Sequence, residues 1–396
     1  MTDLLLTGIG LLTTNQGPPI PDAVVKVVDG SVVYAGGQTD APEQGETVRI
    51  DCDGRAVVPG FVDAHTHVVF AGDRADEFAR RLAGASYSDI AASGGGIAST
   101  VRDTRAASED DLYRETSQRV RRMIASGTTT LEIKSGYGLD LETELRLLRV
   151  ARLIGERLPV TVKTTFLGAH TVPAEFKTDR GGYIDLVIEE MLPAVAPLSD
   201  FCDVFVEEGA FSVDEAMRVF QAATALGLKA RVHAEQLSHS GGALLAATIG
   251  AASADHLDHV TPEDAVVLAN AGVAAVLTPG ASYTLRAPQA PGPMLVDNGV
   301  TIALATDCNP GTAYFESMSL VISLAVVQMG LTVDQAVTAA TLGGATSLGL
   351  DHHGSLTEGS PGDLVVLDGP SPAHLAYRPA TNLAWKVVKD GTVVVG

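Results

Sequence analysis

A chain of 396 residues, 46% hydrophobic, has material for a large core, and its length admits two or three domains or one α/β barrel with a small companion. Lysine and arginine number 27 against 48 aspartates and glutamates, a formal charge of −21 that repels phosphate backbones and anionic membranes, so neither nucleic acid nor membrane is expected as a partner. Cys52, Cys202 and Cys308 are too few and scattered for a disulfide framework, no basic leader precedes Leu4 to Leu6, and no apolar run reaches the roughly 18 residues of a spanning helix; a soluble, unprocessed cytoplasmic protein is expected.

Residues 1–57 alternate short β-rich runs with Gly, Pro and Asp punctuation, and Asp29-Gly30 is a two-residue hairpin signal. A small antiparallel sheet is expected there. Residues 355–396 have the same texture, with strand-like Asp363 to Leu367 and Lys386 to Val395 and a turn at Asp390-Gly391. The two ends are therefore read as one composite β-sandwich domain, 1–57 with 355–396.

Between 58 and 354 short β-branched strands alternate with helical stretches such as Leu141 to Leu158, the pattern of successive βα units. Eight strands are predicted: Val58–His67, Thr128–Lys134, Val160–Leu167, Cys202–Val206, Lys229–Ala234, Ser253–Leu257, Ala274–Leu277 and Thr301–Thr306. Eight units favour a closed (β/α)8 TIM-like barrel, whose chemistry belongs at the C-terminal strand ends.

Those ends are polar. The first closes on His65-Thr66-His67, whose i, i+2 spacing puts both imidazoles on one face. Neutral imidazole is the commonest protein ligand for zinc and suits iron. Further along, the ends carry Lys134 to Gly138, His170, Glu207-Glu208, His233 to Gln236, Asp255 to His259 and Asp307 to Thr312. In so acidic a chain an anionic small substrate would need a local cation, which raises the interest of any arginine near the site.

The segment PGFVDAHTH, the single histidines on the fifth and sixth strands and the aspartate after the eighth resemble the metal-dependent amidohydrolase superfamily. HTHVVFAGDRADEF, LEIKSGYGLD, TFLGAHTVP, HAEQ and ATDCNPGT closely resemble its imidazolonepropionase family, over nearly the whole chain. The resemblance implies hydrolysis of the cyclic amide of 4-imidazolone-5-propanoate to N-formimidoyl-L-glutamate in histidine degradation. It also implies one divalent ion, Zn2+ or Fe, on His65, His67, His233 and Asp307, and a homodimer. Three neutral nitrogens and a carboxylate leave an open position for water, whose pKa a catalytic metal lowers from about 15.7 to about 7.

Asp307 is then expected to move the proton, with His256 as an oxyanion donor or a further metal ligand. Arg74 matches a carboxylate in bidentate fashion and is assigned the propanoate. Tyr137, His170, Asn309, Gly311 and Thr312 match the family's substrate contacts, with Gly311 open to a purely conformational reading. Gln236 stands where some members carry Glu, and it is expected to read the ring rather than act as a base. No lysine follows the fourth strand for a second metal, and Lys134 and Lys163 are expected to be ion-paired or rim residues. His239, His259, His352, His353 and His374 are expected outside the site. Gly94-Gly95-Gly96 lacks a phosphate-cradle context and is read as a cover over the site. A deaminase, another cyclic-amide hydrolase of the superfamily and a non-catalytic scaffold remain alternatives.

Overall fold

A computed structural model describes residues 3–41, 47–84, 94–379 and 381–396. The strands in chain order are β1 (Leu4–Leu12), β2 (Ile20–Val28), β3 (Ser31–Gly37), β4 (Val48–Asp51), β5 (Ala56–Pro59), β6 (Phe61–Asp63), β7 (Thr128–Lys134), β8 (Thr161–Ala169), β9 (Phe201–Val206), β10 (Lys229–Ala234), β11 (Ser253–His256), β12 (Ala274–Leu277), β13 (Ile302–Leu304), β14 (Leu364–Leu367), β15 (Ala384–Lys389) and β16 (Thr392–Val395). They form two eight-stranded sheets.

The terminal sheet runs β16-β15-β14-β5-β1-β2-β3, with β4 beside β1. It joins the two ends of the chain as expected, but it is mixed rather than antiparallel. β1 pairs antiparallel with β2, Leu6 facing Val25, and parallel with β4 and β5, Leu4 facing Val48 and Leu11 facing Ala56. Both predicted two-residue turns are present, with positive φ at Asp29, Gly30, Asp390 and Gly391, the backbone that a type I′ hairpin demands.

The second sheet is all parallel, β6 through β13 in order, and nearly closes on itself. Seven strands match the prediction to within a few residues. The first, expected as Val58–His67, is split: β5 belongs to the terminal sheet, pairing Val58 with Val365, and only Phe61–Asp63 enters the barrel. Gly60 is the switch, because a Cβ there would collide with the Thr129 side chain. The seam between β6 and β13 is closed by a bridge at Thr66 and Cys308, by Asp307 N–H donating to His65 O at 3.0 Å, and by Asp63, which accepts from Thr306 N–H at 2.9 Å and Thr306 Oγ1 at 2.6 Å.

Helices cover the barrel. Leu141–Arg157 starts where the Asp140 side chain accepts from Thr143 N–H at 2.8 Å, and it buries Leu147, Leu148, Val150, Ala151 and Ile154 at helical spacing against the sheet. Each Leu, Val or Ile among them contributes about 1.5–3 kcal/mol on burial. No helix among the described residues is long and apolar enough to cross a membrane.

Candidate active site

β7 to β11 carry charged residues among apolar ones on their inward faces. Glu132 and Lys134 alternate on β7, Arg231 and His233 on β10, so each pair points the same way. Lys134 Nζ lies 2.9 Å from Glu132, 2.8 Å from Asp203 and 3.5 Å from Asp255, and Arg231 Nη2 lies 3.3 Å from Asp255, all fully buried. This layer is the floor of the site.

The histidines stand on that floor. Asp255 Oδ2 accepts from His65 Nδ1 at 2.6 Å, and Asp203 Oδ2 faces His233 Nδ1 at 2.9 Å. Each carboxylate stands beside one ring nitrogen, with Nε2 on the inward side, and Asp203 Oδ1 also accepts from the His233 backbone N–H at 3.1 Å. His65 Nε2 then lies 3.2 Å from His67 Nε2, which lies 3.3 Å from His233 Nε2. Asp307 Oδ1 is 3.5 Å from Nε2 of both His65 and His67, and His256 joins His65 and Asp307 in a second cluster with ligand atoms within 4.8 Å.

The donor set fits a metal ion. With the outer nitrogens of His65 and His233 facing carboxylates, inward lone pairs meet in a dry pocket, and a proton on His67 Nε2 can serve only one neighbour. A cation serves all of them. Those four separations, 3.2 to 3.5 Å, also lie near the roughly 3.3 Å edge of a tetrahedron whose bonds are about 2.0–2.1 Å. Burial pushes the Asp307 carboxyl well above the usual range, and burial together with the nearby His233 lowers His256 to about 3, so its ring is neutral. Burial opposes ionisation of Asp203 too, yet His233 and Lys134 hold its carboxyl well below the ordinary value.

Strained backbone marks the rim. Asp307, His256 and Glu235 have φ of 52°, 77° and 53°. Thr278 Oγ1 lies 2.7 Å from His256 Nδ1, leaving Nε2 to the site. Glu144 accepts from the backbone N–H groups of Gly136 at 3.0 Å and of Gly138 and Leu139 at 2.8 Å, shaping the loop that carries Tyr137. The loop bearing Gln236 is held by Glu207, which accepts from Leu237 N–H at 2.8 Å, and by Glu235, which accepts from Ser240 N–H at 2.6 Å.

Above the histidines opens a cavity of about 620 Å³. Its lining includes every substrate contact expected from the sequence: Arg74, Tyr137, His170, Gln236, Asn309, Gly311 and Thr312, beside His67, His233, His256 and Asp307. His65 lies beneath, fully buried. His170 Nδ1 is 3.0 Å from Gly136 O, and its ring stacks on His67 at 5.2 Å. Asn309 is occupied with its own loop: Nδ2 donates to Asp307 O at 2.7 Å, and Oδ1 accepts from the N–H groups of Gly311 and Thr312 at 2.8 Å.

The histidines expected elsewhere are elsewhere. His239 pairs with Asp264 at 2.8 Å and is half exposed, His352 is exposed, and His259, His353 and His374 are half-buried away from the cavity. Lys134 and Lys163 are ion-paired, Lys163 with Asp200 at 3.0 Å. Of Gly94-Gly95-Gly96, read from the sequence as a cover, Gly96 N–H donates to Glu77 at 2.8 Å, while residues 85–93 lie outside the described residues. Sequence reasoning missed Glu77, Asp203 and Arg231. The available signal was charge inside otherwise apolar strands and, for Glu77, its i, i+3 spacing from Arg74.

Comparison with known proteins agrees with this geometry. The family model described as "Amidohydrolase family" matches residues 56–396. Imidazolonepropionase of Symbiobacterium thermophilum is 46% identical over 99% of this chain and 97% of its own length. That of Haloarcula marismortui is 48% identical over 94% and 90%. The chain belongs to the amidohydrolase family, on its imidazolonepropionase branch. Among solved structures, 5-methylcytosine deaminase from Klebsiella pneumoniae superposes with a TM-score of 0.77 at 16% identity over 98% of this chain and 97% of that one. N-isopropylammelide isopropylaminohydrolase from Burkholderia multivorans gives 0.73 at 20% over 100% and 98%. At those identities the shared property is the fold, a barrel with an attached terminal sheet.

Proposed function

We propose that this amidohydrolase opens the ring of 4-imidazolone-5-propanoate to give N-formimidoyl-L-glutamate, the step its relatives' name describes. One observation carries the reading: a single cavity in a strongly acidic chain is lined both by the His65/His67/His233/Asp307 centre's inner residues and by Arg74. The first suits attack on an amide carbonyl, and the second suits the carboxylate of the substrate chain.

One divalent ion per chain, zinc or iron, is part of the proposal. It would be held by His65, His67, His233 and Asp307, and when bound it supplies Lewis-acid polarisation of water and carbonyl. The rest falls to the protein. Arg74 receives the propanoate, Tyr137 and His170 flank the ring, and the Gln236 amide offers one donor and one acceptor to the ring nitrogens. Asp307 takes a proton from the attacking water and returns it to the ring nitrogen as the C–N bond breaks. With the Thr278 hydroxyl donating to Nδ1, His256 donates from Nε2 to the carbonyl oxygen as it becomes negative. A cytoplasmic homodimer completes the proposal, supported by exposed apolar side chains such as Val327 and Tyr377.

Purified protein incubated with imidazolonepropanoate, with and without added Zn2+ or Fe2+, tests it. The substrate should disappear and the product should be heavier by one water. Absence of turnover in metal-replete protein that instead consumes cytosine, guanine or a hydantoin would overturn the assignment.

A further inference from the structure

A guanidinium offers a carboxylate two docking edges, the Nε–Nη2 side and the Nη1–Nη2 end. In this chain the first is already taken. Arg74 Nε donates to Glu77 Oε2 at 3.0 Å and Arg74 Nη2 donates to Glu77 Oε1, with both side chains only 14% exposed. Glu77 is anchored in turn by Gly96 N–H, 2.8 Å away at the start of helix Ile97–Ala106. Arg74 and Glu77 form a wall, lining the central cavity on one side and a smaller polar pocket of about 210 Å³ on the other.

The remaining nitrogen, Nη1, makes no hydrogen bond among the described residues and rests against Gly311. A Cβ at 311 would collide with it. Gly311 has no left-handed backbone, so its missing side chain answers to the space Arg74 occupies rather than to the turn.

We infer that Glu77 is the positioning residue for acid recognition: by holding one edge of Arg74 it presents the Nη1 end over Gly311 as the dock for the substrate's carboxylate. This rests on the assignment of Arg74 to the propanoate. The Glu77 charge weakens attraction for an anion somewhat. Its larger effect is to order the guanidinium beforehand, so that binding does not have to draw a mobile side chain back to Gly311.

The test compares Glu77→Gln, Arg74→Gln and Gly311→Ala in metal-replete protein, using imidazolonepropanoate and 4-imidazolone without its propanoate. For the acid substrate, Glu77→Gln should raise KM about 5- to 20-fold with kcat within about twofold, and Gly311→Ala should do the same by displacing Nη1. Turnover of the ring without the acid chain should be unchanged. A KM for the acid substrate that is unchanged or lower in Glu77→Gln, while Arg74→Gln raises it, overturns the inference and leaves the Arg74 assignment standing. Equal losses on both substrates also overturn it, since they would mark a structural role. If Arg74→Gln leaves KM untouched, the Arg74 assignment falls and takes the inference with it. Should Glu77→Gln fail to fold, the Gly311→Ala result decides.

Discussion

Two of the places where the described residues bury charge differ in how the charges add up. In the terminal sheet Lys389 meets Asp363 at 3.0 Å, and Asp363 also accepts from Asp390 N–H at 2.8 Å. Lys389 also reaches the exposed Asp390 carboxylate at 2.8 Å, but between the two buried groups the charges balance. Beneath the histidines, three carboxylates (Glu132, Asp203, Asp255) share two cations (Lys134, Arg231), all fully buried. The barrel floor therefore carries surplus negative charge in a dry interior. Desolvation makes an uncompensated buried charge expensive, so a surplus points to a cation supplied from outside the chain. The pair at Lys389 only fastens strands; the floor also prepares a site.

Removing one cation from each region tests the contrast most severely. Lys134→Met and Lys389→Met should each cost about 3–5 kcal/mol in denaturant unfolding, because each strands buried carboxylate. By the same charge count Lys134→Met, which enlarges the surplus, should also tighten metal uptake while Lys389→Met leaves it alone, and equal uptake in the two variants would break the comparison. Chelation comes next: protein prepared at metal a hundredfold above its dissociation constant should lose about 2.7 kcal/mol when the ion is stripped. Read by thermal melting at the same metal concentration, that loss should be unchanged in Lys389→Met and grow in Lys134→Met.

Asp203→Asn sharpens the argument by leaving two carboxylates against two cations. Its metal affinity should fall about 10- to 100-fold by titration, since His233 loses a charged partner. The smallest effect concerns a surface pair used as a control. The Arg180 guanidinium beside Glu215, with Ser212 N–H, pulls the Glu215 carboxyl down to about 2. Its folded value is depressed, so the stabilisation is present above the unfolded value near 4.3 and is lost as pH falls towards 2. With both side chains partly exposed, Glu215→Gln should cost no more than about 0.5 kcal/mol at neutral pH and nothing near pH 2, with metal uptake untouched.

Much of this was written locally in the sequence. The β-branched runs located the barrel strands because a strand buried on both faces needs no distant information to look apolar, and His65-Thr66-His67 announced itself by spacing. Val58–His67, taken as one strand, runs through Pro59-Gly60, a local turn signal; that its two sides belong to different sheets shows only in the fold, where Thr129 packs on Gly60. The floor was harder to read: Asp203, Arg231 and Asp255 lie on three strands, and only the barrel makes them neighbours. Glu77 was hidden differently. An acidic residue three positions after an arginine on a helix is ordinary surface chemistry until the fold turns that helix end into a cavity wall.

The barrel seam has one more consequence. Asp63 and Thr306, 243 positions apart, meet where the first and last staves of the cylinder touch, and few backbone bonds join them there. His65 and His67 leave one stave and Asp307 leaves the other. On the proposed ligand set, an ion gripped by all three would act as a clasp across the joint, tying completion of the cylinder to completion of its reactive centre.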